Sequence, residues 1–144
     1  MKHLSNKHFY ILVIFCSVII LLSSIELMIA IKDSTIFNKW LISNNLTQYP
    51  IEDTFVEYLN ANLISYALRI IFPVVLGIST FLTLTKFYIN KTLVYVFLLL
   101  EIAGLSFTAI QRNFNSLFYF LILSLYVVLI IYTYIFIALK EDYE

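Results

Sequence analysis

Four long apolar runs dominate the sequence. They cover residues 9–31, 63–85, 92–110 and 117–139, and each is long enough to cross about 30 Å of hydrocarbon as an α-helix. The runs lack the alternation of apolar and polar residues that is typical of barrel strands. With 62% hydrophobic and 12% charged residues, the composition is that of a membrane protein. We predict an all-α integral membrane protein, a four-helix bundle that forms a single membrane domain over residues 1–144.

The distribution of basic residues predicts the orientation of these spans. The first run is longer than a signal-peptide core and is followed by no A-x-A cleavage pattern, so we expect an uncleaved span. With the N-terminus inside, more basic residues fall on the inner side than outside, as membrane proteins prefer. The inner residues are Lys2, Lys7, Lys86, Lys91 and Lys140, and the outer ones are Lys32, Lys39 and Arg112. This bias predicts cytoplasmic termini in a cytoplasmic membrane, and the abundance of Ile, Phe, Tyr, Asn and Lys is typical of a bacterial, AT-rich genome.

Residues 32–62 form the predicted outer segment, which has two amphipathic parts. In the first part, Asp33 or Ser34 is positioned to cap a short helix. Trp40 on this helix is the kind of side chain that anchors a chain at the membrane interface. We therefore expect the short helix to lie along the membrane surface.

A second amphipathic helix is predicted from Pro50 onward, because proline is well tolerated in a first helical turn. Its apolar face is made of residues spaced by four, namely Ile51, Phe55, Leu59 and Leu63. Two interpretations of the outer segment are open. It is either a lid that rests on the bundle, or a docking surface for another protein with Trp40, Phe55 and Leu59 as the contact residues.

Three charged residues lie inside the predicted spans: Glu26, Arg69 and Glu101. A charge near the bilayer centre costs roughly 2.5–3.5 kcal/mol on insertion scales, so such groups pair or face a protein interior. Counted from the outer ends of their spans, the three residues lie about 7, 9 and 13 Å deep at the helical rise. These depths are within one side chain's reach, and we predict one ionic cluster.

Two further residues are expected to shape this cluster. Gly104 is level with Arg69 and would leave room for its guanidinium group. Pro73 cannot donate a hydrogen bond to the carbonyl of Arg69, which predicts a kink or an extra coordinating oxygen. The cluster itself has two open interpretations. It is either a structural ion pair or triad that fixes helix register, or a site for protons, an ion or a polar ligand in which Glu101 is the functional acid.

Motifs that carry catalytic chemistry are missing from the sequence. It contains no HExxH, GxSxG, P-loop or CxxC pattern, and the single cysteine, Cys16, excludes an intrachain disulfide. A net charge of zero gives no argument for a nucleic-acid partner. We expect no enzyme, no catalytic residue, no metal and no cofactor, and as partners the lipid bilayer with another membrane protein or a second copy of the chain.

In overall plan the chain resembles the DoxX-like membrane proteins, which have four spans and a longer outer segment after the first. The resemblance is one of architecture. Where that group tends to place an acidic residue four positions before a glycine in the second span, this chain has Pro73 before Gly77. The resemblance therefore implies a four-span plan and no site residues.

Two functional hypotheses fit the sequence. The first is a small accessory or interaction protein of the cell inner membrane, such as a complex subunit, an assembly factor or an immunity-type protein that guards against a membrane-active toxin. The alternative is an oligomeric transporter or channel subunit that moves protons, an ion or a small polar solute through Glu101 and Arg69.

Overall fold

A computed structural model describes residues 4–86, 91–111 and 116–138, and within these ranges the chain is built from helices. They are α1 (Asn6–Lys32), α2 (Ser34–Ser43), α3 (Ile51–Thr85), α4 (Lys91–Ile110) and α5 (Leu117–Tyr132), the last continuing as a π-helix over Thr133–Ala138. Four of the described helices, all but α2, are long and apolar enough to cross a membrane. The predicted all-α, four-helix membrane bundle is confirmed. Four residues named above lie outside the described residues. They are Lys2, Arg112 and Lys140, whose charges support the predicted orientation, and Leu139, the predicted end of the last span.

Helices α1 and α2 meet at a sharp corner formed by Asp33. The Asp33 carboxylate accepts hydrogen bonds from the Thr35 backbone nitrogen at 2.8 Å and from the Thr35 hydroxyl at 2.6 Å. Asp33 is thus the N-cap of α2, as one of the two sequence alternatives predicts. The same hydrogen bonds lower the pKa of Asp33, so its side chain is ionised at neutral pH.

Helix α3 joins the second part of the outer segment to the second span without a break. It contains 35 residues, which is about 52 Å at the helical rise and well beyond the ~30 Å of a hydrocarbon core. Its buried stripe runs from Thr54 and Tyr58 to Arg69 and on to Thr83. The extension and the span belong to one continuous helix. The face of the helix that packs in the bundle therefore also determines which residues are buried in the extension.

The apolar face predicted for this extension therefore points away from the bundle. Ile51 is 71% exposed and Leu63 is 42% exposed, whereas Thr54 and Tyr58 are buried. The Tyr58 hydroxyl donates to the Ala30 carbonyl oxygen at 2.6 Å, which ties the extension to the end of α1.

Aromatic side chains attach α2 to the extension of α3. Phe37 is 8% exposed, and the centroid of its ring lies 5.4 Å from that of Phe55 and 5.2 Å from that of Tyr58. Trp40 packs edge-on against Tyr58 at 5.3 Å. These contacts hold α2 against the side of the extension, and we refer to this end of the molecule as the α2 end.

The core of the bundle lies where the four long helices meet, with α1 against α3 and α5, and α4 against α3 and α5. Cys16 is buried among apolar residues there and has the role of a small filler. The fully or nearly fully buried residues of this core are Leu4, Leu12, Cys16, Ile19, Leu76, Val94, Phe97, Ile122, Tyr126 and Leu129.

Candidate functional site

Arg69 is the centre of a polar network at the α2 end. Its Nη1 donates to a carboxylate oxygen of Glu26 on α1, and this is the ion pair between Arg69 and Glu26 that the sequence predicts. Its Nε donates to Oε1 of Gln111 at 2.8 Å, and its Nη2 donates to the same oxygen. Gln111 in turn donates to the Ser65 hydroxyl at 2.7 Å. The network thus joins α1 and α3 to the end of α4.

Burial makes this network energetically important. Arg69 is 8% exposed and Glu26 is 7% exposed, so both charges are largely removed from water. A buried ion pair is tolerated only when each charge has good partners, and removing one partner typically costs about 3–5 kcal/mol. The arrangement fits the interpretation in which the charges fix the register of neighbouring helices.

Glu101 does not join Arg69 and Glu26. It is fully buried on α4, and its Oε1 accepts a hydrogen bond from the Thr133 hydroxyl at 2.7 Å. Its Oε2 has no hydrogen-bond partner among the residues that the structure describes. The expected three-membered ionic cluster is therefore divided, with Glu26 and Arg69 at the α2 end and Glu101 apart from them.

The direction of helical side chains explains this difference. Side chains tilt toward the N-terminus of their own helix. On α3 this carries Arg69 toward the α2 end, whereas on the antiparallel α4 it carries Glu101 toward the opposite end. Glu26 on α1 tilts the same way as Glu101, but it starts about 6 Å nearer the α2 end and so stays within reach of Arg69, whereas Glu101 does not. Gln111, near the last turn of α4, then lies level with the guanidinium.

Gly104 allows a close approach, but for a different residue than expected. A Cβ atom added to Gly104 would lie 2.6 Å from the Tyr126 hydroxyl oxygen and 2.7 Å from two ring carbons. The space beside Gly104, predicted to hold the guanidinium of Arg69, is occupied by the phenol ring of Tyr126 from α5. Small residues permit such contacts between helices.

Polar atoms without partners gather around this contact. In addition to Glu101 Oε2, the Tyr126 hydroxyl oxygen is buried with no hydrogen-bond partner among the described residues. Tyr126 lies close enough to Glu101 and Arg69 to interact electrostatically with both. We call Glu101, Tyr126 and Thr133 the mid-bundle polar site.

The remaining predicted site residues are separated from both groups or flank them. Pro73 is buried one turn after Arg69, and α3 continues through it. Trp40 and Leu59 are half-buried and Phe55 is 36% exposed, all three on α2 or the extension of α3. Among the described ranges, His, Cys, Asp and Glu side chains form no group of three or more that could hold a metal ion.

A cleft of about 790 Å³ opens above the Arg69 network. Its walls come from the α1–α2 corner, from α2, from the extension of α3 and from the start of α5, and Arg69, Glu26 and Gln111 also line it. The volume is within the range of roughly 300–1,000 Å³ that is usual for small-molecule sites. We refer to this feature as the α2 cleft.

Sequence reasoning missed Gln111, Tyr126 and Thr133. Gln111 could have been predicted, because it follows Gly104 by seven residues and so lies on the same face of the helix. Tyr126 and Thr133 gave no such signal, since a tyrosine in an aromatic span and a threonine near its end are ordinary in membrane helices.

No protein-family model, curated protein or solved structure matches this chain in comparisons of sequence and fold. The site is therefore interpreted from its own geometry.

Proposed function

We propose that this protein is a small accessory or interaction protein of a cell membrane, in the class of complex subunits, assembly factors and immunity-type proteins. The observation that carries the proposal is the helical platform formed by α2 and the extension of α3. This platform is built from regular, mutually packed helices, and it stands at one end of a bundle whose spans fill a bilayer.

The exposed surface of the platform supports a role in binding. Ile42 is 66% exposed, Ile51 71% and Val56 55%, and these positions lie in or beside the part of the chain that exceeds the hydrocarbon thickness. Exposed apolar side chains outside the lipid core can take part in a protein contact. We propose that the partner is another membrane protein and that it meets the platform around Trp40, Phe55 and Leu59.

The packing below the Arg69 network also favours binding over transport. The middle of the bundle is filled by fully buried side chains, including Leu76, Phe97, Ile122 and Tyr126. Such packing is typical of a structural core.

Site-specific photocrosslinking in native membranes tests the proposal. A benzophenone amino acid at Phe55 or Leu59 is expected to crosslink to one and the same protein. The matched control is Leu99, which is 66% exposed on α4 but lies within a span, and it should give lipid adducts only. Equal crosslinking from Leu99, or lipid adducts alone from Phe55 and Leu59, would contradict the proposed contact.

We also propose that both termini face the cytoplasm, which puts the platform outside. Single cysteines at Ser43 and Lys86, both exposed, in a Cys16→Ser background test this orientation. An impermeant thiol reagent added to intact cells should label the Ser43 position and not the Lys86 position. The reverse pattern would place the platform on the cytoplasmic side.

One observation favours the second candidate, an oligomeric transporter or channel subunit. Glu101 is fully buried, accepts a hydrogen bond from the Thr133 hydroxyl, and has a second oxygen with no hydrogen-bond partner among the described residues. Ionisable groups buried in membrane helices commonly serve ion or proton pathways.

Flux measurements in liposomes separate the two candidates. For an accessory protein we expect no proton or cation flux from either the native protein or Glu101→Gln, and both should still retain the partner. Robust flux from the native protein that is abolished by Glu101→Gln would establish the transporter. The transporter hypothesis also requires oligomers, because four helices are few for a monomeric transporter. Native mass spectrometry reports the oligomeric state directly.

A further inference from the structure

The α2 cleft carries charges of both signs at separate places. Arg69 and Glu26 lie at its floor, and Asp33 and Lys39 lie at its rim. The formal charges of these four described residues add up to zero. A ligand that carries one positive and one negative group therefore matches the cleft better than a simple anion or cation.

The floor of the cleft is suited to an anionic oxygen group. A guanidinium has five N–H donors, and the hydrogen bonds of Arg69 to Glu26 and Gln111 occupy three of them. Two donors are left within the described part of the chain. The amide of Asn62 also lines the cleft on the same side of α3. Arginine combined with amide and hydroxyl groups is a common way to bind phosphate.

The rim is suited to a cation. The Thr35 hydrogen bonds engage only Oδ1 of Asp33, and they lower the pKa of Asp33, so this side chain offers an ionised carboxylate toward the cleft. Trp40, which is half-buried, also lines the cleft, and an indole face attracts ammonium groups. A carboxylate combined with an aromatic ring is a recurring arrangement for such ligands.

We propose that the α2 cleft binds a zwitterionic headgroup of the phosphoethanolamine type, with its phosphate on Arg69 and its ammonium between Asp33 and Trp40. The location agrees with this chemistry, since the cleft opens at the end of the bundle where tryptophan and lysine side chains meet lipid headgroups. The ligand is either a membrane lipid or a soluble glycerophosphodiester. This inference goes beyond the proposed function and does not depend on it.

Binding measurements on the full-length protein in delipidated detergent micelles test the inference. The probes are dihexanoyl phosphatidylethanolamine, dihexanoyl phosphatidylglycerol and glycerophosphoethanolamine. We expect phosphatidylethanolamine to bind about ten-fold more tightly than phosphatidylglycerol, because only the former carries the ammonium group. Similar affinity for glycerophosphoethanolamine identifies the soluble headgroup as the ligand, and binding of the acylated form alone identifies the lipid. Both of these results support the site.

Substitutions assign the two halves of the site. Asp33→Asn keeps a good N-cap residue and should abolish the preference for phosphatidylethanolamine while leaving phosphatidylglycerol binding unchanged. Asp53→Asn is the matched control, since Asp53 is an exposed carboxylate of α3 that does not line the cleft.

Arg69→Lys should weaken both lipids about ten-fold, because the planar fork is lost. Lys39→Gln, at an exposed rim position, removes a positive charge and should weaken phosphatidylglycerol about three-fold, so the test stays valid if Arg69→Lys fails to fold.

Two results would overturn the inference. One is equal affinity for the two lipids in the native protein. The other is a preference for phosphatidylethanolamine that is the same in Asp33→Asn as in Asp53→Asn, because the ammonium would then be recognised elsewhere.

Discussion

Glu26 and Glu101 are both carboxylates buried inside the same membrane bundle, yet the structure treats them differently. Glu26 is paired with Arg69 at the floor of an open cleft. Glu101 is sealed in the middle of the bundle, where the hydroxyl of Thr133 donates to it. The first environment balances a charge with a countercharge, and the second provides, within the described part of the chain, a neutral hydroxyl donor.

This difference shows that a charged residue in an apolar span does not by itself indicate what the residue does. Around Arg69 an ion pair and hydrogen bonds tie α1, α3 and the end of α4 together, so these groups contribute to assembly. In the mid-bundle polar site, by contrast, Glu101 and Tyr126 each have a buried oxygen without a hydrogen-bond partner in the described part of the chain. Buried polar atoms of this kind are costly to maintain and often indicate function.

The largest expected effect is at the ion pair. Arg69→Leu should lower the free energy of unfolding by about 3–5 kcal/mol, because Glu26 then lacks the guanidinium in a buried position. Adding Glu26→Gln should restore part of this loss, since the carboxylate that faced the guanidinium is replaced by a neutral amide. Reversible unfolding in mixed micelles measures both variants. A double variant less stable than Arg69→Leu alone would show that the pair is not the main source of the loss.

The next effect concerns the contact between Gly104 and Tyr126. Gly104→Ala should destabilise the bundle by about 1–3 kcal/mol, because the new Cβ would lie 2.6 Å from the Tyr126 hydroxyl oxygen. Gly77→Ala is the control, since nothing lies within 4 Å of a Cβ added there, and it should be neutral or slightly stabilising. If both variants have the same thermal unfolding temperature, α4 and α5 are not in close contact at Gly104.

An effect of similar size is expected from the hydrogen bond between Thr133 and Glu101. Thr133→Val should cost about 1–3 kcal/mol in the native protein, because Glu101 loses its one described donor. The same substitution in a Glu101→Gln background should cost less, so the double variant should lose less stability than the sum of the two single variants. Thr85→Val, at an exposed position, should be close to neutral in both backgrounds. Additive effects of Thr133→Val and Glu101→Gln would mean that the two side chains do not interact.

The smallest effect should come from the attachment of the platform. Tyr58→Phe removes the hydrogen bond to the Ala30 carbonyl and should reduce stability by about 0.5–1.5 kcal/mol. Tyr95→Phe, at a position 68% exposed on α4, serves as the control and should have no measurable effect. Hydrogen exchange of the α2 amides should rise in Tyr58→Phe only. Unchanged exchange would indicate that the aromatic contacts of Phe37 and Trp40 are sufficient to hold α2.

The sequence by itself was enough to predict the membrane bundle, a short helix capped by Asp33 or Ser34, and the pairing of Arg69 with Glu26. Each of these follows from local properties, because the length of an apolar run, the chemistry of an N-cap and the depth of a charge can all be counted along the chain.

The tertiary structure decided which groups meet around the bundle axis. Depth along a helix can be counted, but the direction in which a side chain leaves its helix depends on how the helices are rotated and packed. For this reason Glu101 faces Thr133 and not Arg69, Tyr126 fills the space beside Gly104, and the apolar face of the α3 extension points outward. Rotation about the helix axis is set jointly by all packed neighbours, and no single stretch of sequence contains that information.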